Sequence, residues 1–181
     1  MNYAESGDLQ PIVPESNRQS PLVGRSREQL LLRAQLSAAR EGNGSIVILG
    51  GEAGIGKSRL AAALCQEASD LGALVLVGHC YDLTETAPYG PWGELVERSA
   101  ELSTVMPAMR AIPEPPLTHG SSHAALFVEI RDFLFAMSRQ TPLVLVLEEV
   151  HWADTESFDL LRFVARRLAS MPILLLVTYR N

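Results

Sequence analysis

Four short apolar runs, separated by stretches with helical periodicity, predict an α/β chain: a three-layer sandwich with helices on both faces of a parallel sheet. The runs fall at 45–49, 73–77, 143–147 and 173–177 and are almost wholly Val, Ile, Leu and Ala. Continuous apolar runs of this length mark strands buried on both faces, whereas a sheet with one wet face would alternate. A glycine-rich turn that leads from the first run into an amphipathic segment is the second observation. Size is the third: 181 residues suggest one domain, large enough to bury a core without disulfides or a structural metal.

Residues 1–20 hold Pro11, Pro14 and many small polar residues with little to bury, and read as a flexible arm. Ser26 and Gln29 have the spacing of a capping box, so a helix is expected from Ser26, with Leu30, Leu31, Ala34 and Ala38 as its apolar stripe. The stretch 41–44 ends it, and the strand 45–49 follows. A second helix is expected over 57–71. Leu60, Ala61, Leu64, Ala68 and Leu71 share one of its faces, and Gly72 suits the position just past its end. The strand 73–77 comes next.

Residues 81–141 break the alternation and carry Pro88, Pro91, Pro107, Pro113, Pro115 and Pro116. They read as a mainly helical insert, with helices near 93–102 and 124–139 and a connector near 107–123. After the strand 143–147, Asp154 is placed to cap a helix running to about Ser170, with Leu161, Val164, Ala165 and Leu168 inward. The strand 173–177 is the last. The domain is thus expected over 21–181.

Charge and composition exclude several classes of function. Lys and Arg number 15 against 21 Asp and Glu, a net charge of −6, which argues against a chain built to grip nucleic acid. No run approaches the ~20 apolar residues of a membrane span, and the first residues have no signal-peptide core. A cytoplasmic protein without membrane contact is expected. Cys65 and Cys80 lie in apolar segments and read as reduced core residues, not a disulfide or metal pair.

The chemistry is carried by Gly51-Glu52-Ala53-Gly54-Ile55-Gly56-Lys57-Ser58, which fits G-x-x-x-x-G-K-[ST], the phosphate-binding P-loop. Gly51, Gly54 and Gly56 allow the backbone to curl so that its N–H groups form an anion nest. The loop opens onto a helix N-terminus, whose partial positive charge favours phosphate. Lys57 brings an ammonium to the β/γ-phosphates, and Ser58 a hydroxyl to Mg²⁺. Arg59 completes the expected nucleotide-binding set. Glu148 and Glu149 end the third strand, at the edge where open α/β sheets bind ligands. Two acids there suit two tasks, one in the Mg²⁺ shell and one orienting or deprotonating water. Neighbours along a strand point to opposite faces, so the two cannot share one task. His151 is assigned to packing, Asp154 to the helix cap, Arg162, Arg166 and Arg167 to a solvated helix face, and His79 and Cys80 to structure.

The P-loop, the segment Leu147-Glu148-Glu149-Val150-His151-Trp152-Ala153-Asp154 and the ending Thr178-Tyr179-Arg180 together resemble the AAA-related, STAND-type ATPase domain. That domain occurs in large LuxR-type transcriptional regulators, in cyclase- and kinase-linked signalling proteins and in origin-recognition-complex-like modules. Pro21-Leu22-Val23-Gly24-Arg25-Ser26-Arg27-Glu28 resembles the motif that opens such domains near the adenine, and Ala87-Pro88-Tyr89-Gly90-Pro91-Trp92 a further segment common among them. The resemblance covers about 21–180. It implies that Glu148 stands in the metal-shell place, Glu149 in the catalytic acid place and Arg180 in that of a polar sensor of the γ-phosphate. Lys57 would act in catalysis as well as in binding, and Val23 and Arg25 would line the nucleotide. The sequence departs from the family at Ser26, where an acid is usual, and at Glu148, where Asp is typical.

The resemblance also implies a five-stranded core, with a fifth strand beside 46–49. The expectation is therefore a P-loop NTPase sandwich truncated after its fourth strand, with the first strand left as an exposed apolar edge. The expected function is an ATP-binding, slowly hydrolysing switch in a signalling or transcription regulator, using ATP/ADP and Mg²⁺. Protein partners or self-association fit such a switch. A P-loop phosphotransferase and a non-catalytic interaction fragment are the alternatives. The preference for adenine rests on the resemblance, beside the lack of a guanine-reading Asn-Lys-x-Asp motif.

Overall fold

A computed structural model describes residues 24–82, 88–105 and 122–181. The arm expected over 1–20, Val23, Ala87 and nearly all of the expected connector lie outside these residues. The described elements are α1 (Ser26–Arg40), β1 (Ser45–Gly50), α2 (Lys57–Asp70), β2 (Leu74–His79), α3 (Gly90–Val105), α4 (His123–Ser138), β3 (Leu143–Glu148), α5 (Thr155–Ala165) and β4 (Ile173–Tyr179). No helix among the described residues is long and apolar enough to cross a membrane.

The strands form one sheet in the order β1-β4-β3-β2, and every neighbouring pair is parallel. Alternation along the strands separates two cores. Leu143, Leu145, Leu147, Ile173, Leu175 and Val177 pack with residues of α3, α4 and α5. Val144, Val146, Leu174 and Leu176 pack on the opposite face against Leu32, Leu36 and Ala39 of α1 and Leu60, Ala61, Leu64 and Ala68 of α2. The two inner strands, β3 and β4, are therefore buried on both faces as the apolar runs predict. Each such Leu contributes roughly 1.5–3 kcal/mol relative to an exposed side chain.

The first strand departs from that pattern. Val47 and Leu49 pack under α1 and α2, but Ile46 and Ile48 on the other face remain 38% and 60% exposed. The reason is cover: both β1 and β2 stand at sheet edges, but α3 packs on β2, whereas among the described residues no helix covers the face of β1 that carries Ile46 and Ile48. The expected edge is thus seen, whereas double burial of 45–49 is not.

Two expectations for α1 are corrected. Arg25, not Ser26, is the N-cap, and no side chain caps the helix. Ser26 is already helical, so its hydroxyl cannot take the capping role. The buried face is Leu32, Leu36 and Ala39, while Leu30 and Leu31 are 66% and 59% exposed. Both sets have helical spacing, and packing onto α2 selects between them. At the other end of the chain, α5 stops at Ala165 and a separate 3-10 turn, Leu168–Ser170, carries the chain into β4. Asp154 does cap α5, accepting from the Ser157 N–H at 2.7 Å and from its hydroxyl at 2.6 Å.

Two contacts among those that hold helix α3 stand out. The buried Trp92 indole donates to the Ser157 carbonyl at 3.1 Å. Gly78 of β2 faces the helix start so closely that a Cβ would lie 2.1 Å from the Pro91 carbonyl oxygen. Gly78→Ala is therefore expected to lower stability by about 1–3 kcal/mol by forcing α3 outward. An unchanged thermal midpoint would show that the helix and strand do not meet so tightly.

Both cysteines are free and buried, one in each core. Burial pushes both thiols from 9.0 up to about 12, with the Glu148 charge adding at Cys65 and the Asp154, Glu94 and Glu149 charges adding at Cys80. A thiol that the fold keeps protonated favours the folded state fully below pH 9.0, and this advantage is lost as pH rises towards about 12. Neither thiol should react with a disulfide reagent at about pH 8 until denaturant is added. Fast labelling of the native chain would contradict the burial.

Candidate functional site

The parallel register brings the carboxyl ends of the strands to one edge. Gly50 of β1 lies beside Tyr179 of β4, and Glu148 of β3 beside His79 of β2. The loop 51–56 leaves this edge and enters α2 at Lys57. Gly54 and Gly56 hold φ of +75° and +93°, and Gly51 +150°. A Cβ at Gly54 or Gly56 would touch nothing within 4 Å, so their backbone angles, not crowding, call for glycine. Gly56 is the N-cap of α2 and supplies no side chain, which leaves the first N–H groups of the helix to an incoming anion.

Lys57 is only 7% exposed, and its ammonium is held within the loop by the carbonyls of Gly51 at 2.9 Å and Glu52 at 3.0 Å. Glu52, Ala53, Gly54 and Ile55 form the exposed rim. Ser58 and Arg59 follow on the first turn of α2, both half-buried. Arg25 donates through its guanidinium to the Ile55 carbonyl, which ties the segment before α1 to the loop. Of the two opening-motif residues expected at the nucleotide, Arg25 is therefore beside the loop, and Val23 lies outside the described residues.

The paired acids diverge as their sequence spacing requires. Glu148 shares strand parity with Val144 and Val146, which face α1 and α2, and its charge raises the Cys65 thiol in that layer. Glu149 acts instead on Cys80, in the opposite core. Partial burial holds the Glu148 carboxyl above its ordinary value, with His79 opposing the shift and Glu149 adding to it. A nearby cation would relieve that burden. Among the described residues no group of three or more His, Cys, Asp and Glu side chains could hold a metal. The donors on offer, a hydroxyl at Ser58 and a carboxylate at Glu148, suit Mg²⁺, which keeps several waters and shares phosphate oxygens.

Glu149 has left the strand, with φ at +56°. Its backbone N–H donates to the Thr178 hydroxyl at 3.0 Å, and its Oε2 lies 3.5 Å from His151 Nε2. The backbone N–H of Arg180 donates to His151 Nδ1 at 3.3 Å, and Arg180 itself is exposed at the end of β4. His151 thus has polar contacts on both ring nitrogens, beyond the packing role expected of it.

Two further polar residues, Glu94 and Thr178, were given no role in the sequence reading, and His79, assigned there to structure, lies beside the acid of β3. Glu94 of α3 accepts from the His79 backbone N–H at 2.9 Å and meets its Nδ1 at 2.9 Å. Thr178 is fully buried and serves Glu149. His79 follows its apolar run as Glu148 follows its own, so the strand-end pairing was a usable signal for His79. Thr178 directly follows the apolar run 173–177, as a strand-end hydroxyl. Nothing local marked Glu94, whose role depends on how α3 crosses β2.

Comparison with known proteins agrees with this geometry. The family described as the AAA ATPase domain matches residues 21–177. An uncharacterized protein of Rhizobium meliloti (strain 1021) is 26% identical over 194 residues, spanning 88% of this chain and 18% of that protein. The chain thus covers under a fifth of that relative's length. Among solved structures, CDC6P from Pyrobaculum aerophilum is similar at 18% identity with a TM-score of 0.61, covering 93% of this chain and 42% of the other. C. elegans PCH-2 matches at 14% identity and a TM-score of 0.47, over 86% and 37% of the two chains. With the family match running through the loop, both acids and most of the last strand, the chain belongs to the AAA ATPase domain family.

Proposed function

We propose that this chain is an ATP-binding, slowly hydrolysing nucleotide switch of the STAND type, serving a signalling or transcription regulator. The observation that carries the reading is the meeting of the 51–58 loop, Glu148 and Glu149 at one edge of the sheet. Backbone N–H groups of residues 51–58 bind the β- and γ-phosphates, and the Lys57 ammonium exchanges its loop carbonyls for phosphate oxygens. Ser58 and Glu148 hold Mg²⁺, which supplies charge neutralisation at the phosphates. Glu149 orients the attacking water and takes its proton. Arg180, which follows β4, acts as the sensor of the γ-phosphate, and Arg25, Val23 and Arg59 complete the nucleotide site.

A switch needs differential affinity for nucleotide between two conformations. Slow turnover suits it, and an arginine supplied by a partner or a second copy can raise such rates by about 10³–10⁵. The exposed Ile46 and Ile48 favour one further reading, an interaction module that no longer uses nucleotide.

Titration calorimetry with MgATP and MgADP tests the binding. Lys57→Ala should weaken ATP binding by at least about 30-fold, since removing one partner of a buried charge contact costs about 2–5 kcal/mol. Unchanged affinity in a folded variant would remove the loop from the phosphate site. A folded wild type that binds neither nucleotide would leave the interaction reading. Glu149→Gln should keep ATP binding and lower single-turnover hydrolysis by about 10²–10⁴-fold. A wild-type rate in that variant would take the catalytic task from Glu149.

A further inference from the structure

We propose that His151 is a positioning residue that clamps Glu149 to the end of β4. The inference rests on the reading of Glu149 as the catalytic acid and extends it to how that acid is held. Glu149 and Tyr89 are the only non-glycine residues with positive φ among those described. The left-handed backbone at Glu149 turns the chain sharply into the 3-10 turn Val150–Trp152. That turn is closed by the Trp152 N–H donating to the Glu149 carbonyl at 2.9 Å. It folds His151 back so that its Nε2 faces the Glu149 carboxylate at 3.5 Å.

The tautomer follows from the other nitrogen. The Arg180 backbone N–H can only donate, so Nδ1 accepts and carries no proton. In the neutral ring the proton then sits on Nε2 and points towards Glu149. Nε2 is also buried without a hydrogen bond, and it is the one such side-chain nitrogen or oxygen among the described residues. A buried donor of this kind is unfavourable unless an acceptor comes within range. The charged acceptor facing it is the Glu149 carboxylate, 3.5 Å away. Trp152, with its ring 5.0 Å from that of His151, limits the imidazole's freedom to turn away.

Both ends of Glu149 are thereby referred to β4. Its backbone is bonded to Thr178, and its carboxylate faces His151, which is bonded to Arg180. A displacement of the β4 end would move the acid through His151, without any direct contact between Glu149 and Arg180.

The test has two arms. Imidazole ¹⁵N spectra of the full chain, with four histidines, identify the His151 signals by their loss in His151→Gln. The expected result is an unprotonated Nδ1 and a protonated Nε2, with the Nε2 signal moving in Glu149→Gln. A proton on Nδ1, or signals indifferent to Glu149→Gln, would overturn the proposal without reference to nucleotide. The second arm compares His151→Gln, whose amide N–H reaches the Nε2 position, with His151→Asn, which keeps only an acceptor near Nδ1. Single-turnover hydrolysis should fall about tenfold or more in His151→Asn and stay within about threefold in His151→Gln, with ATP affinity unchanged in both. Equal losses in the two variants would reduce His151 to packing. A wild type that binds no nucleotide would instead defeat the proposed function, and the spectra would still decide the His151 pairing.

Discussion

The site depends on the register of a parallel sheet whose inner strands are buried on both faces. β3 and β4 have no solvent face, so their one-residue-in-two alternation is enforced by two cores at once. A slip of one residue would move Leu143, Leu145 and Leu147 out of one core and bring Val144 and Val146 into their place. It would also exchange Glu148 with Glu149 and carry His79 out of line with the acid beside it. The same apolar packing that stabilises the fold therefore fixes which carboxylate faces the P-loop helix.

That separation gives two adjacent acids different environments. Glu148 lies beside His79 and is pushed towards its neutral form by partial burial, a state that a cation would reverse. Glu149 has left the ladder and is held through β4 instead. Strand geometry supplies the divergence, and the left-handed turn at Glu149 enlarges it by directing the following residues over the sheet end. Neither acid needs a dedicated loop, because the chain assembles the arrangement from a strand end and one reversed residue.

Much of this was legible in the sequence. The apolar runs at 143–147 and 173–177 mark the inner strands, and Asp154 caps its helix as its position suggests. The loop 51–58 lies between a strand and a helix as its pattern requires. Legibility failed where two local solutions were equivalent. Ser26 could have capped α1, but the chain places Arg25 there. Two helical stripes competed on α1, and the choice of Leu32, Leu36 and Ala39 was made by α2. The run at 45–49 is nearly as apolar as the inner strands, yet one of its faces is left open because, among the described residues, no helix covers it as α3 covers the other edge strand, β2. Glu94 and the contacts of His151 depend on long-range crossings, which no short window of sequence contains.

The two local costs in this sheet end fall on one pair of residues. A non-glycine residue in the left-handed region is disfavoured by about 1–3 kcal/mol, and a buried N–H without an acceptor by a similar amount. Glu149 bears the first and His151 the second. Packing gives no reason for either. A glycine at 149 would relieve the backbone, and an apolar side chain at 151 would remove the unmet donor beside Trp152, at the loss of the bond that Nδ1 accepts from the Arg180 N–H. What the two residues add over those substitutes is a carboxylate and an N–H that face each other at 3.5 Å. Strain retained at the end of β3 therefore accords with the proposed role of Glu149 as a held acid and not with the stability of the fold.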